Sequence, residues 1–172
     1  SQGLDALDRF MLGSVSTNLI HHATCPVLVV KGEAAPLRRI IVATDGSEAS
    51  AKALRFVLSK FQPDRSTGKG GRVPIHVSVL HVLPLVMYPG LKEGSKKLLE
   101  QSVQKLTKAG FTAEPLCYLG NPAEEIMKAA SQQQADLIVM GAKGLGAIAR
   151  FLIGSVSTRV VQHANCAVLV VR

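Results

Sequence analysis

The sequence has no tryptophan, and aromatic side chains make up only 4% of its 172 residues. Its formal net charge is +8 at pH 7, which invites comparison with nucleic-acid binders. Those proteins interleave their cations with exposed aromatics on which bases stack, so the scarcity of aromatics argues against that class. Long apolar runs are also missing: the longest, Cys166 to Val171, is six residues. A membrane-spanning helix needs roughly 20, so no membrane partner is expected. No charged n-region, apolar h-region and cleavage site opens the chain, and the expected setting is cytoplasmic. Three cysteines, an odd number, make no disulfide framework and suit a reducing compartment. Cys25 and Cys166 read as small apolar residues leading into strands. A zinc site built from them with His21, His22 and His163 would lack the usual CxxC or HxxxH spacing.

Acidic residues are absent from the end of the chain. After Asp136 there are four bases, Lys143, Arg150, Arg159 and Arg172, and no carboxylate side chain. Residues 1–45 balance four bases against four acids, so the whole excess lies in residues 46–172. A basic region around a small phosphorylated ligand fits this distribution.

What the chain does have is a repeat. Gly3 to Lys31 returns 141 positions later as Gly144 to Arg172, with 17 of 29 positions identical. Both copies contain Gly-Ser-Val-Ser-Thr, at Gly13–Thr17 and Gly154–Thr158, and both end in Val-Leu-Val-Val. A fixed period has to be recognised before a fold is assigned. Here the period is one domain long, about 140 residues, a common size for a single core. Residues 1–31 therefore read as the last helix and strand of a preceding copy, 32–36 as a linker and 37–172 as a complete domain. The opening inside a motif suggests part of a longer chain.

In that domain Arg39 to Ala43 is a β-branched strand ending in the turn Thr44-Asp45-Gly46-Ser47. Ala53, Leu54, Val57, Leu58 and Phe61 recur at helical spacing. Gln62 to Pro74, rich in glycine and proline, reads as a loop. A strand follows at Ile75–Leu83, a helix at Leu91–Ala109 closed by Gly110, and a strand at Thr112–Leu119. Asn121-Pro122 opens a helix reaching about Gln134. Leu137 to Met140 is a fully apolar strand, a glycine loop follows, and a last helix at Ser155–Ala164 leads to the strand Val168–Val171. The alternation predicts a parallel α/β sheet, doubly wound, with helices on both faces. Ligands in such sheets bind at the carboxyl ends of strands near the topological switch.

The loop after the fourth of these strands carries the chemistry. Gly141-Ala142-Lys143-Gly144 is followed, after nine residues, by Gly154-Ser155. Glycines let backbone approach a phosphate, and the start of a helix offers free N–H groups and a favourable dipole. With Ile41-Val42-Ala43-Thr44-Asp45-Gly46-Ser47, Leu80-His81-Val82, Leu137-Ile138-Val139-Met140-Gly141 and Gly154-Ser155-Val156-Ser157, the chain resembles the universal stress protein family, specifically its ATP-binding branch. The resemblance spans Leu37 to Arg172, with the tail as the end of a preceding copy.

It implies a Rossmann-like, five-stranded parallel sheet of order 3-2-1-4-5 and a site for ATP, alone or with Mg²⁺. Carried over position by position, Ala43, Thr44 and Asp45 would contact adenine and ribose, and Val82 would pack against the base. Met140, Gly141 and Gly144 would line ribose and phosphates, with Lys143 beside them. Gly154, Ser155, Val156 and Ser157 would hold the phosphates. Each has a plainer reading: core packing for Val82 and Met140, a turn carboxylate for Asp45, a solvated loop cation for Lys143.

The function implied is a nucleotide-responsive stress regulator or sensor. A slow ATPase or phosphotransfer enzyme, or a nucleotide-free interaction module, is the alternative. Other nucleotide signatures are missing: Thr67-Gly68-Lys69-Gly70 lacks the first glycine of a P-loop and precedes a strand. His76 and His81, an odd number apart in one strand, point to opposite faces. Family members pair through their last strands, so Val27–Val30 and Val168–Val171 are expected to join, as a homodimer or as an intramolecular pseudo-dimer. Asp5 and Asp8 replace Gly146 and Ala149 in the first copy, and carboxylates there would oppose a triphosphate.

Overall fold

The computed structural model describes residues 14–31, 36–66, 72–86, 89–143 and 153–172. In chain order the elements are α1 (Ser14–His22), β1 (Val27–Val29), β2 (Arg39–Ala43), α2 (Glu48–Lys60), β3 (Asp64–Ser66), β4 (Arg72–Pro74), β5 (His76–Leu83), α3 (Leu91–Lys108), β6 (Thr112–Leu119), α4 (Pro122–Gln132), β7 (Leu137–Gly141), α5 (Ser155–His163) and β8 (Ala167–Val171). Gly144, together with Asp5, Asp8, Gly146 and Ala149 of the carboxylate comparison, lies outside the described residues.

Strand composition dictates the layering. β2, β5, β7 and β8 are nearly continuous Val, Ile and Leu, which only burial on both faces can satisfy. Alternate side chains divide between two cores. Ile41, Leu80, Ile138, Met140 and Val168 face α4 and α5. Ile40, Val42, Val77, Val79, Val139 and Leu169 face α2 and α3. The parallel strands run β6-β5-β2-β7-β8, which in order of appearance is the expected 3-2-1-4-5. The sheet nevertheless has six strands, not five, because β1 adds antiparallel to β8. Without β1 the outer edge of β8 would leave the backbone groups of an apolar strand unpaired, and such an edge takes a partner.

Local chemistry sets the helix ends. Ser47 caps α2, its Oγ accepting the Ser50 N–H at 3.2 Å. Asn121 caps α4, its Oδ1 accepting from Ala123 and Glu124, with Pro122 at the first helical position. Gly110, at φ +91°, ends α3. The Phe111 N–H then reaches back to the Leu106 carbonyl at 3.0 Å, and both side chains are buried together, as in a Schellman closure. One segment departs from the sequence reading. Gln62–Pro74 contains a short hairpin, Asp64 opposite Pro74 and Ser66 opposite Arg72. Strands of three residues are too short to show a period, so the glycines and prolines dominated.

The tail is joined to the domain by an exchange of cations. Lys31 Nζ donates to the carbonyls of Gln162 (3.0 Å) and Ala164 (2.8 Å) at the end of α5. Arg172 Nη2 donates to the carbonyls of Ile20 and His21 at the end of α1. Lys31 and Arg172 are equivalent positions of the repeat, and each closes the other copy's last helix, where carbonyls lack intrahelical partners. The strand register obeys the same symmetry: Leu28 lies opposite its equivalent Leu169, with Val27 opposite Val170 and Val29 opposite Val168. Burial lowers the Lys31 pKa, although the neighbouring Cys166 pulls the other way. Replacing both cations by methionine is expected to remove charge-assisted bonds worth about 1–2 kcal/mol each. Hydrogen exchange at the Val27–Val29 amides should then accelerate at least tenfold (about 1.4 kcal/mol) while β2 and β7 stay protected. Unchanged exchange in β1 would show that the cations do not hold the tail.

Candidate functional site

β2 lies between β5 and β7. From its end the chain leaves into α2 on one face, whereas from β7 it continues to α5 on the other. The departure in opposite directions opens a crevice at the carboxyl ends of the strands. A cavity of about 490 Å³ occupies it, within the usual range of small-molecule sites, lined by Ala43, Thr44, Asp45, Ser50, Leu80, Val82, Pro122, Ile126, Met140, Gly141, Lys143, Gly154, Ser155, Val156 and Ser157. Eleven of the twelve residues singled out in the sequence are here; Gly144 lies outside the described residues. Sequence reasoning missed Ser50, Leu80, Pro122 and Ile126. Leu80 was findable, since it shares a strand face with Val82 two residues on. Pro122 and Ile126 belong to α4, whose approach to the sheet is a tertiary event.

One wall is apolar: Leu80, Val82, Pro122, Ile126, Met140 and Val156. Around Thr44, Asp45 and Ser50 the lining is polar and tightly organised. Asp45 Oδ1 accepts the Ser47 N–H at 3.0 Å, which folds the turn that launches α2. The Thr44 hydroxyl bonds to Ser50 Oγ at 3.1 Å, and Ser50 Oγ to the Ser47 carbonyl at 2.9 Å. Thr44 and Ser50 therefore brace the turn. Gly46 at φ +80° supplies the left-handed residue the turn requires.

The start of α5 differs from the starts of α2 and α4. Its N-cap is Gly154, which has no side chain to cap with. Thr158 makes the first intrahelical bond, to the Gly154 carbonyl at 2.9 Å. The N–H groups of Ser155, Val156 and Ser157 thus have no partner within the helix, and all three residues line the cavity. Lys143 is the one cation among the described lining residues. Three amide donors, the positive end of a helix and a lysine thus line the same cavity as the apolar residues. That combination suits an anionic group carried on a flat, apolar-faced body.

Two expected phosphate ligands have other duties. Ser157 is buried, and its hydroxyl donates to the Gly141 carbonyl at 2.9 Å, with the Ala142 carbonyl at 3.3 Å. Its proton is committed to backbone, which leaves its N–H as the donor it can offer a ligand. Gly141 has a reason to be glycine beyond the one expected from the sequence. A Cβ there would stand 2.5 Å from the Ala49 carbonyl carbon and 2.7 Å from its oxygen. The end of β7 and the first turn of α2 pass too close for any side chain.

The model of the universal stress protein family matches residues 1–31 and 36–172. The chain belongs to that family. Among curated relatives it is similar to universal stress protein YxiE of Bacillus subtilis, 32% identical, covering 78% of this chain and 98% of the relative. A universal stress protein of Mycolicibacterium smegmatis is 32% identical over all of this chain, which spans 60% of that relative. Among solved structures, a universal stress protein from Archaeoglobus fulgidus in complex with dAMP superposes with a TM-score of 0.58 at 25% identity, covering 80% of this chain and 98% of the other. The family's Rossmann-like α/β architecture is thus the one seen here.

In this universal stress protein the tight approach at Gly141 makes a firm test of the site's construction. Gly141→Ala should push backbone against backbone and cost about 2 kcal/mol or more. Chemical denaturation at constant slope should show the loss as a lower midpoint. A midpoint equal to the parent's would mean that α2 is free to move away from β7.

Proposed function

We propose that residues 37–172 form an ATP-binding universal stress domain acting as a nucleotide-responsive regulator. The observation that carries this reading is the uncapped start of α5, which lines one cavity together with Lys143 and the apolar residues Val82, Leu80, Met140 and Ile126. The wall suits one face of adenine, Asp45 and Thr44 suit a ribose, and the three amides with Lys143 suit phosphates. The dAMP bound by the Archaeoglobus fulgidus relative supports an adenine nucleotide as the ligand class. Preference for ATP, alone or with Mg²⁺, rests on the number of donors at the phosphate end. The same reading makes residues 1–31 the end of a preceding copy, with β1 and β8 as the join of an intramolecular pseudo-dimer. A slow ATPase is the second reading, favoured by the Asp45 carboxylate in the cavity lining.

Calorimetric titration with ATP, AMP and adenosine tests the proposal. ATP should bind more tightly than AMP, and adenosine most weakly. Ser155→Asp places a carboxylate at the first position of α5, which favours the helix by about 0.3–1 kcal/mol and opposes phosphate. This variant should keep or raise the melting temperature while losing roughly tenfold or more in ATP affinity, with adenosine binding unchanged. Equal affinity of the variant and parent for ATP would overturn the phosphate assignment. Prompt phosphate release from ATP by the parent would favour the enzyme reading over the regulator.

A further inference from the structure

A second group of reactive side chains stands on the other face of the sheet, at the same carboxyl edge. His81 on β5 and Cys117 on β6 are direct neighbours in the parallel register. Both point toward α3, since the alternate residues Leu80, Val82, Leu116 and Tyr118 belong to the opposite core. α3 sets Ser95 between them. Ser95 Oγ lies 2.8 Å from His81 Nδ1 and 3.5 Å from Cys117 Sγ. Ser95 is buried and Cys117 is exposed, so the chain runs from a half-buried base through a sheltered hydroxyl to a thiol that solvent reaches.

We propose that Cys117 is a modification site for thiol–disulfide exchange with low-molecular-weight disulfides, with His81 taking the thiol proton through Ser95. The hydrogen bonds can run in either sense. With the thiol protonated, Cys117 S–H donates to Ser95 Oγ, and Ser95 O–H donates to His81 Nδ1. When the thiol loses its proton the chain reverses: His81 Nδ1–H donates to Ser95, and Ser95 donates to the sulfur. The base is available in neutral form, because burial lowers the His81 pKa while the Asp45 carboxylate opposes that shift and steadies the imidazolium once formed.

The step balances. Cys117 Sγ bonds to one sulfur of the disulfide R–S–S–R and that S–S bond breaks. The departing sulfur takes the electron pair and then the proton stored on His81, leaving as R–SH. Cys117 is oxidised and the reagent's other sulfur reduced, with no further oxidant. The other two thiols are placed differently. Cys166 is partly buried, and burial raises its pKa, which keeps the thiol protonated and slow. Cys25 is exposed and serves as an internal standard for an unassisted thiol. No ligand in the nucleotide cavity is needed, so the inference stands independently of the ATP proposal.

The full chain, treated with oxidised glutathione at pH 7 and followed by peptide mass spectrometry, tests it. Cys117 should form its mixed disulfide on the order of tenfold or more faster than Cys25, since positioned proton transfer commonly gives at least that. Ser95→Ala breaks the relay and His81→Gln removes the base. Each should slow Cys117 toward the Cys25 rate while Cys25 itself is unchanged. General unfolding would speed all three thiols, which is the opposite sign, so the two effects are distinguishable. A Cys117 rate no faster than that of Cys25, or one indifferent to both substitutions, would overturn the assignment.

Discussion

The whole cavity depends on the close passage of β7 over the first turn of α2 at Gly141. A side chain there would meet the Ala49 backbone at 2.5 Å, so the two elements approach as nearly as backbones can. The Gly141 carbonyl then receives the Ser157 hydroxyl, and the neighbouring Ala142 carbonyl receives the Gly154 N–H at 2.7 Å. One short segment thereby fixes the launch of α2 on one face and of α5 on the other. The Thr44 N–H bonds to the Leu80 carbonyl at 2.8 Å and ties the third side of the crevice to the same frame. These bonds to backbone carbonyls hold the three sides of the crevice together.

The frame explains why the site was largely legible in the sequence and where it was not. β2 and β7 are uninterrupted apolar runs ending in Thr-Asp-Gly-Ser and Gly-Ala-Lys, so strand ends and turns could both be read. Gly141 stands out in the sequence as part of the glycine loop, but its contact with α2 does not show there. A glycine that admits a phosphate and one that admits a helix backbone look alike until α2 is placed. Ser157 is likewise a candidate from the sequence, and its hydroxyl serves the frame. Pro122 and Ile126 carry no local mark, because only packing brings α4 over Val82. The hairpin at Asp64–Pro74 was missed since three-residue strands give no period. His81, Ser95 and Cys117 are far apart in sequence, and only the parallel register of β5 with β6 reveals that they meet.

The repeat acquires a physical meaning in the same way. Its two terminal strands pair about a local two-fold that runs between Leu28 and Leu169, and its two terminal cations exchange helix ends. Sequence identity alone marked these segments as equivalent. The reciprocal bonds of Lys31 and Arg172 show how the equivalence is used. Each copy supplies what the end of the other's last helix lacks, and α5, which also lines the cavity, is held at both ends. Its N-terminus is fixed by Gly141 and Ala142, its C-terminus by the tail.

The central claim is that the unpartnered amides at the start of α5 form the phosphate end of a nucleotide site. Amide proton shifts of Ser155, Val156 and Ser157, followed by NMR during titration with ATP and then with adenosine, address it most directly. The account predicts large downfield shifts at all three with ATP and little change there with adenosine, while both ligands perturb Val82. ATP binding that leaves these three amides unmoved would contradict it.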